Sequence, residues 1–105
     1  MGRKNDKIIN SFTKVVKNNF NPCKIILFGS RATGKYNKGS DYDFLLISPK
    51  FRKMGWEDRL ANVYFLKREI PAAMDIICLT PHEFNEKKKE LGVIHEAVKE
   101  GIEIT

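Results

Sequence analysis

The stretch "KIILFGSRATGKYNKGSDYDFLLI", Lys24 to Ile47, decides how the rest of the chain is read. With Cys23, its first residues form an apolar run of strand length that stops at Gly29-Ser30, and its last residues, Tyr42 to Ile47, form a second such run. Between Gly29 and Lys35 the spacing nearly fits the phosphate loop G-x-x-x-x-G-K-[ST], but Tyr36 stands where a magnesium-binding hydroxyl is required. A phosphate loop also expects a distant acidic strand, whereas here Asp41 and Asp43 follow almost at once. The glycines therefore belong to a different device: a turn after a strand, leading into a short helix that Gly34 is placed to end.

Asp41 and Asp43 are two apart at a strand start, so their side chains point to the same face. Two like charges held side by side are unfavourable unless a cation lies between them. Magnesium, which takes hard oxygen ligands and keeps water and phosphate in its shell, suits that need. By itself a D-x-D is also read as a turn residue followed by an exposed strand residue. Asp75 adds weight, because it interrupts "AMDIICL", a third strand expected to be buried on both faces, where an unpaired carboxylate is costly. If that strand lies beside Tyr42–Ile47, three carboxylates converge. Such a cluster can hold two divalent ions for in-line phosphoryl or nucleotidyl transfer.

Outward from this centre, "NDKIINSFTKVVKNNF" carries Ile8, Ile9, Phe12, Val15 and Val16 at helical spacing and ends at Asn21-Pro22. "WEDRLANVYFLKREI" reads as a helix with Trp56, Leu60, Val63, Tyr64 and Lys67 on one face, stopped by Pro71. Thr80-Pro81-His82-Glu83 is a capping-box helix start. A lysine-rich stretch, the helix "VIHEAVKEG" and a short edge strand "IEIT" complete the chain. The order α-β-α-β-α-β-α places the fold in the α/β or α+β class.

At 105 residues the expectation is one domain, 1–105, too small for a five-stranded nucleoside-triphosphatase core. A net charge of +6 and pI of about 9.4 favour an anionic partner, or simply a well-solvated surface. Cys23 and Cys78 lie in apolar runs without disulfide-dense spacing, so buried thiols in a reducing, cytoplasmic setting are expected. No apolar run approaches the roughly 18–20 residues that cross a bilayer.

Taken together, the strand, Gly29-Ser30, ten intervening residues, Asp41-x-Asp43 and the later Asp75 resemble the DNA polymerase β superfamily of nucleotidyltransferases, and in particular its minimal nucleotidyltransferase branch. The resemblance covers the whole chain and is most specific from Phe28 to Ile47. It implies an α-β-α-β-α-β core with a small mixed three-stranded sheet and helices on one side. It implies that Gly29 and Ser30 bind the triphosphate, with Arg31 facing phosphate and Ser40 flanking the nucleotide. Asp41, Asp43 and Asp75 become the metal-binding and catalytic carboxylates, Asp75 assisting deprotonation of the attacking hydroxyl. Two Mg2+ ions and ATP are the implied cofactor and donor. The implied partner is a helical HEPN toxin, to one of whose tyrosines AMP is transferred, making the chain an antitoxin. Tyr42 departs from the usual aliphatic residue between the aspartates.

Two other classes remain open. One is a non-catalytic module that neutralises a partner by contact; the other is a nucleic-acid binder, suggested by the charge and by Lys87-Lys88-Lys89. That lysine run is short and flanked by glutamates, and reads as a solvated helix face rather than a groove. His82 and His95 lack zinc-ligand spacing. Glu57 and Asp58 read as helix-surface charges, and Trp56 and Tyr64 as core or partner-facing aromatics. Donor base, acceptor and oligomeric state leave no mark in the sequence.

Overall fold

The computed structural model describes residues 6–104. Asn5, at the start of the expected first helix, and Thr105, at the end of the expected edge strand, lie outside them. Helix α1 (Lys7–Phe20) begins at Asp6, whose Oδ1 accepts from the amides of Ile8 and Ile9 at 2.9 and 3.1 Å, satisfying donors that a helix start leaves orphaned. Its apolar stripe, Ile9, Phe12, Val16 and Phe20, is buried. Strand β1 (Lys24–Phe28) leads through Gly29 into the single-turn helix α2 (Ser30–Thr33), which Gly34 ends in the left-handed conformation at φ 85°. Strand β2 (Tyr42–Ile47), helix α3 (Trp56–Leu66), strand β3 (Met74–Leu79), helices α4 (Pro81–Lys87) and α5 (Val93–Glu100) and the two-residue strand β4 (Ile102–Glu103) follow.

The sheet runs β3-β2-β1-β4, with β1 antiparallel to both β2 and β4, and β2 parallel to β3. The expected three-stranded core is thus joined by the expected short edge strand, since Ile102 and Glu103 pair with Leu27 and Ile26. Strand β2 is central, and Phe44, Leu45 and Leu46 are all fully buried. Alternation then divides the side chains. One face (Ile25, Leu27, Phe44, Leu46, Ile76, Cys78) packs on α1 and α3 and forms the larger core, where Phe12 and Phe44 lie 4.5 Å apart between ring centroids. The other (Ile26, Leu45, Ile47, Leu79) carries a smaller cluster closed by Ala97 of α5, with Phe84 and Ile94 against it. Cys23 and Cys78 are free thiols, pushed up to about 11 and about 12, first of all by burial.

Strand β3 is an edge strand, not the doubly buried one its composition suggested, because β4 joins the sheet beyond β1 and, among the described residues, no strand pairs outside β3. Side chains of α3 cover that edge instead. Tyr64 Oη donates to the Met74 carbonyl at 2.8 Å, and Arg59 Nη1 donates to that of Cys78 at 3.1 Å. Of the face expected for α3, Val63 is buried and Leu60 packs against the larger core. Trp56 departs from it, staying 50% exposed with Arg59 stacked on its ring, and Arg59 is buried instead. Arg59 further bonds both carboxylate oxygens of Glu83, which closes the expected capping box with Thr80. Among the described residues no helix is long and apolar enough to cross a membrane.

Candidate active site

The register brings Phe28, Asp43 and Asp75 into one row across β1, β2 and β3, on the face opposite the larger core. Helix α5 roofs the middle of that face at Ile26 and Leu45, so the carboxylate row lies beyond the apolar cluster at one end of the sheet. Asp75 is exposed and Asp43 half-buried. The pairing Asp43–Asp75 follows from parallel strands in register, and Asp41, one residue before β2, is close enough for its charge to act on Asp43. Because β3 is an edge, Asp75 does not incur the cost of a fully buried charge; exposure is what permits it there.

The electrostatics of the row are those of crowded like charges. The Asp43 carboxyl is held above the ordinary carboxylate value first by burial, then by the charges of Asp75 and Asp41, and by a hydrogen bond with Asp75. Gly29 closes the other side. Its φ of 73° is one that side-chain-bearing residues rarely adopt, and a Cβ there would overlap Asp43 Oδ2 and stand 2.9 Å from Asp43 Cγ. Glycine is therefore needed twice over, for the backbone angle and for the approach of the carboxylate. Ser30 opens α2 next to it. The amides of Ala32 and Thr33 are engaged by the Gly29 carbonyl, while those of Ser30 and Arg31 precede the helical bonding pattern.

Arg31 and Ser40 line a separate hollow with Tyr42, Ala72 and Ala73 that none of the three aspartates lines, and they are bonded within their own loop. Arg31 Nε donates to the Ser40 carbonyl at 3.0 Å, and Nη2 reaches the carbonyls of Asn37 and Lys38 at 3.4 Å. Ser40 Oγ accepts from the Asn37 amide at 3.1 Å. Both residues organise the loop 34–41 that delivers Asp41. Tyr42 faces away from the carboxylates into the larger core, stacked on Phe44, and its hydroxyl donates to Asp6 Oδ2 at 2.9 Å. Nothing in the sequence distinguishes an arginine aimed at phosphate from one folded back on its own loop, so this use of Arg31 was not readable there.

Among the described residues no three His, Cys, Asp or Glu side chains form a ready metal shell on their own. The donors nonetheless fit magnesium by type and charge. They are hard carboxylate oxygens, mutually repelling, beside a glycine turn open to phosphate, and Mg2+ commonly takes one or two carboxylates and completes its shell with water and substrate phosphate. A concavity of about 550 Å³ lies elsewhere, at the other sheet end, lined by residues including Lys17, Lys24, Phe84 and Lys88 and by none of the three aspartates.

Comparison with known proteins agrees with the fold. Residues 9–104 match the nucleotidyltransferase domain family, and the chain belongs to it. A Sulfolobus solfataricus protein assigned as a candidate nucleotidyltransferase is similar in structure, with 27% identity and a TM-score of 0.62, over 92% of this chain and 76% of that one. A chain of a toxin–antitoxin structure with AMP-PNP has 17% identity and a TM-score of 0.64, over 91% and 71%. Similarity in fold alone extends to BolA1 from Arabidopsis thaliana, with 18% identity and a TM-score of 0.61, over 74% and 96%. No curated protein matches the chain.

Proposed function

We propose that this nucleotidyltransferase domain transfers a nucleoside monophosphate, AMP from ATP, to a hydroxyl on a partner protein. The observation that carries the reading is the row Phe28–Asp43–Asp75 with the Gly29 turn packed on Asp43, which sets crowded carboxylates beside the start of α2. In this reading Ser30 and the amides of Ser30 and Arg31 at the start of α2 hold the triphosphate. Asp41, Asp43 and Asp75 hold Mg2+, which when bound offsets their repulsion and the charge developing on phosphate. The acceptor oxygen attacks the α-phosphorus and the bond to the β-phosphate oxygen breaks. Pyrophosphate leaves, and Asp75 takes the hydroxyl proton. The toxin–antitoxin neighbour with AMP-PNP fits both an adenine donor and such a partner, and a tyrosine of a HEPN toxin is the acceptor we propose.

The test is incubation with Mg2+ and each α-labelled triphosphate, with and without a co-expressed HEPN partner, for the parent and for Asp43→Asn. Label from ATP should pass to the partner only with the parent. Transfer unaffected by Asp43→Asn would remove the site from the reaction. Equal neutralisation of the partner by both proteins would favour contact over chemistry. The lysine-lined concavity favours a second reading, nucleic-acid binding, which steeply salt-dependent affinity for RNA would support.

A further inference from the structure

The side chain expected to meet phosphate is enclosed by its own loop. The Arg31 guanidinium carbon lies 4.0 Å from the Tyr42 ring centroid and 4.6 Å from that of Tyr36, so the cation is stacked between two aromatic faces. Its nitrogens point at the carbonyls of residues 37, 38 and 40, the last of which immediately precedes Asp41. Tyr42, the residue following Asp41, is itself pinned from two sides. Its amide donates to the Ala73 carbonyl at 3.0 Å, and its hydroxyl to the same Asp6 carboxylate that caps α1. The connection is continuous: α1 start, Tyr42, Arg31, loop carbonyls, Asp41.

We propose that Arg31 is a positioning residue whose guanidinium, clamped between Tyr36 and Tyr42, sets the loop 34–41 and thereby the direction of the Asp41 carboxylate. The inference rests on the proposed metal-dependent reading of the carboxylate row for its consequence, but not for its geometry. Arginine is required because a planar fork can stack and bond several carbonyls at once, whereas an ammonium is a point charge that can do neither well. The proposal also accounts for Tyr42, whose ring and hydroxyl are both used although it faces away from the carboxylates.

Arg31→Lys, which keeps the charge, and Tyr36→Ala, which removes one stacking face from a half-exposed position, are the informative variants. Three readouts are compared with the parent: hydrogen exchange of residues 35–42 without nucleotide, Mn2+ affinity by calorimetry, and kcat and KM for ATP. In Arg31→Lys exchange of the loop should accelerate about tenfold, and Mn2+ affinity should fall about tenfold, as it does when residues orienting a ligand are lost. In that variant kcat should fall while KM for ATP moves less than twofold, and Tyr36→Ala should move every readout the same way by less. Retained loop protection and Mn2+ affinity with a raised KM would make Arg31 a phosphate ligand and overturn the proposal. So would an Arg31→Lys protein indistinguishable from the parent. If the parent transfers no label, the functional reading fails on its own, while exchange and Mn2+ binding still decide the role of Arg31.

Discussion

Charge is handled in opposite ways at the two ends of the β2–β3 pair. At the Cys78 end, Arg59 is buried yet fully engaged: Nε donates to the Met54 carbonyl at 2.9 Å, and the guanidinium holds the Cys78 carbonyl and both oxygens of Glu83. Glu83 accordingly sits below its ordinary value of 4.5, chiefly through the Arg59 hydrogen bonds. At the Asp75 end Asp43 is crowded by the charges of Asp75 and Asp41, no ion pair among the described residues engages any of the three, and Asp43 sits above its ordinary 3.8. One cluster satisfies itself and serves stability. The other is left unsatisfied by its own fold, the condition expected of a site completed by a ligand.

The sharpest way to break the comparison is to neutralise one member of each cluster. Asp75→Asn should lower kcat for nucleotidyl transfer by about 10²–10⁴-fold, the range for loss of a general base, without lowering the melting temperature. Arg59→Met should do the reverse. It strips a partner from a largely buried ion pair and should cost about 3 kcal/mol in chemical denaturation, with activity of the folded fraction retained. A smaller effect is expected at the hinge between strand and site. Gly29→Ala forces a methyl into Asp43 and into an essentially glycine-only backbone region that costs about 1–3 kcal/mol, so both stability and activity should fall.

The least effect is in pH dependence, and its sign differs between the clusters. Glu83 has a folded-state value below its unfolded one, so its contribution is complete above about 4.5 and is lost as pH falls through the folded value. The stability gap between parent and Arg59→Met should therefore narrow on acidification. Asp43, raised in the folded state, disfavours folding as pH rises past 3.8, so the gap between Asp43→Asn and the metal-free parent should widen in the variant's favour.

Much of the carboxylate end was legible in the sequence, because its determinants are local. Glycine at a strand end, i, i+2 alternation and an acid inside an apolar run each follow from short-range chemistry, and the register then sets Asp43 beside Asp75. The Thr80–Glu83 capping box was legible for the same reason. The other end was not. Arg59 looks like any helix-surface cation, and only the placement of α3 over the β3 edge turns it inward. The pairing of β4 with β1, and with it the edge position of β3 and the exposure of Asp75, depends on contacts between segments far apart in sequence. The contacts of Arg31 with its own loop were not readable, because Tyr36 and Tyr42 close on it only once the loop is folded.

Mn2+ titration of the nucleotide-free protein, comparing parent with Asp43→Asn and following the melting temperature of each, tests the central claim most directly. The parent should bind the ion, and the variant should bind it at least about tenfold more weakly while melting no lower. Equal affinity in the two proteins, or a variant destabilised as much as Arg59→Met, would contradict the assignment of these aspartates to a ligand rather than to the fold.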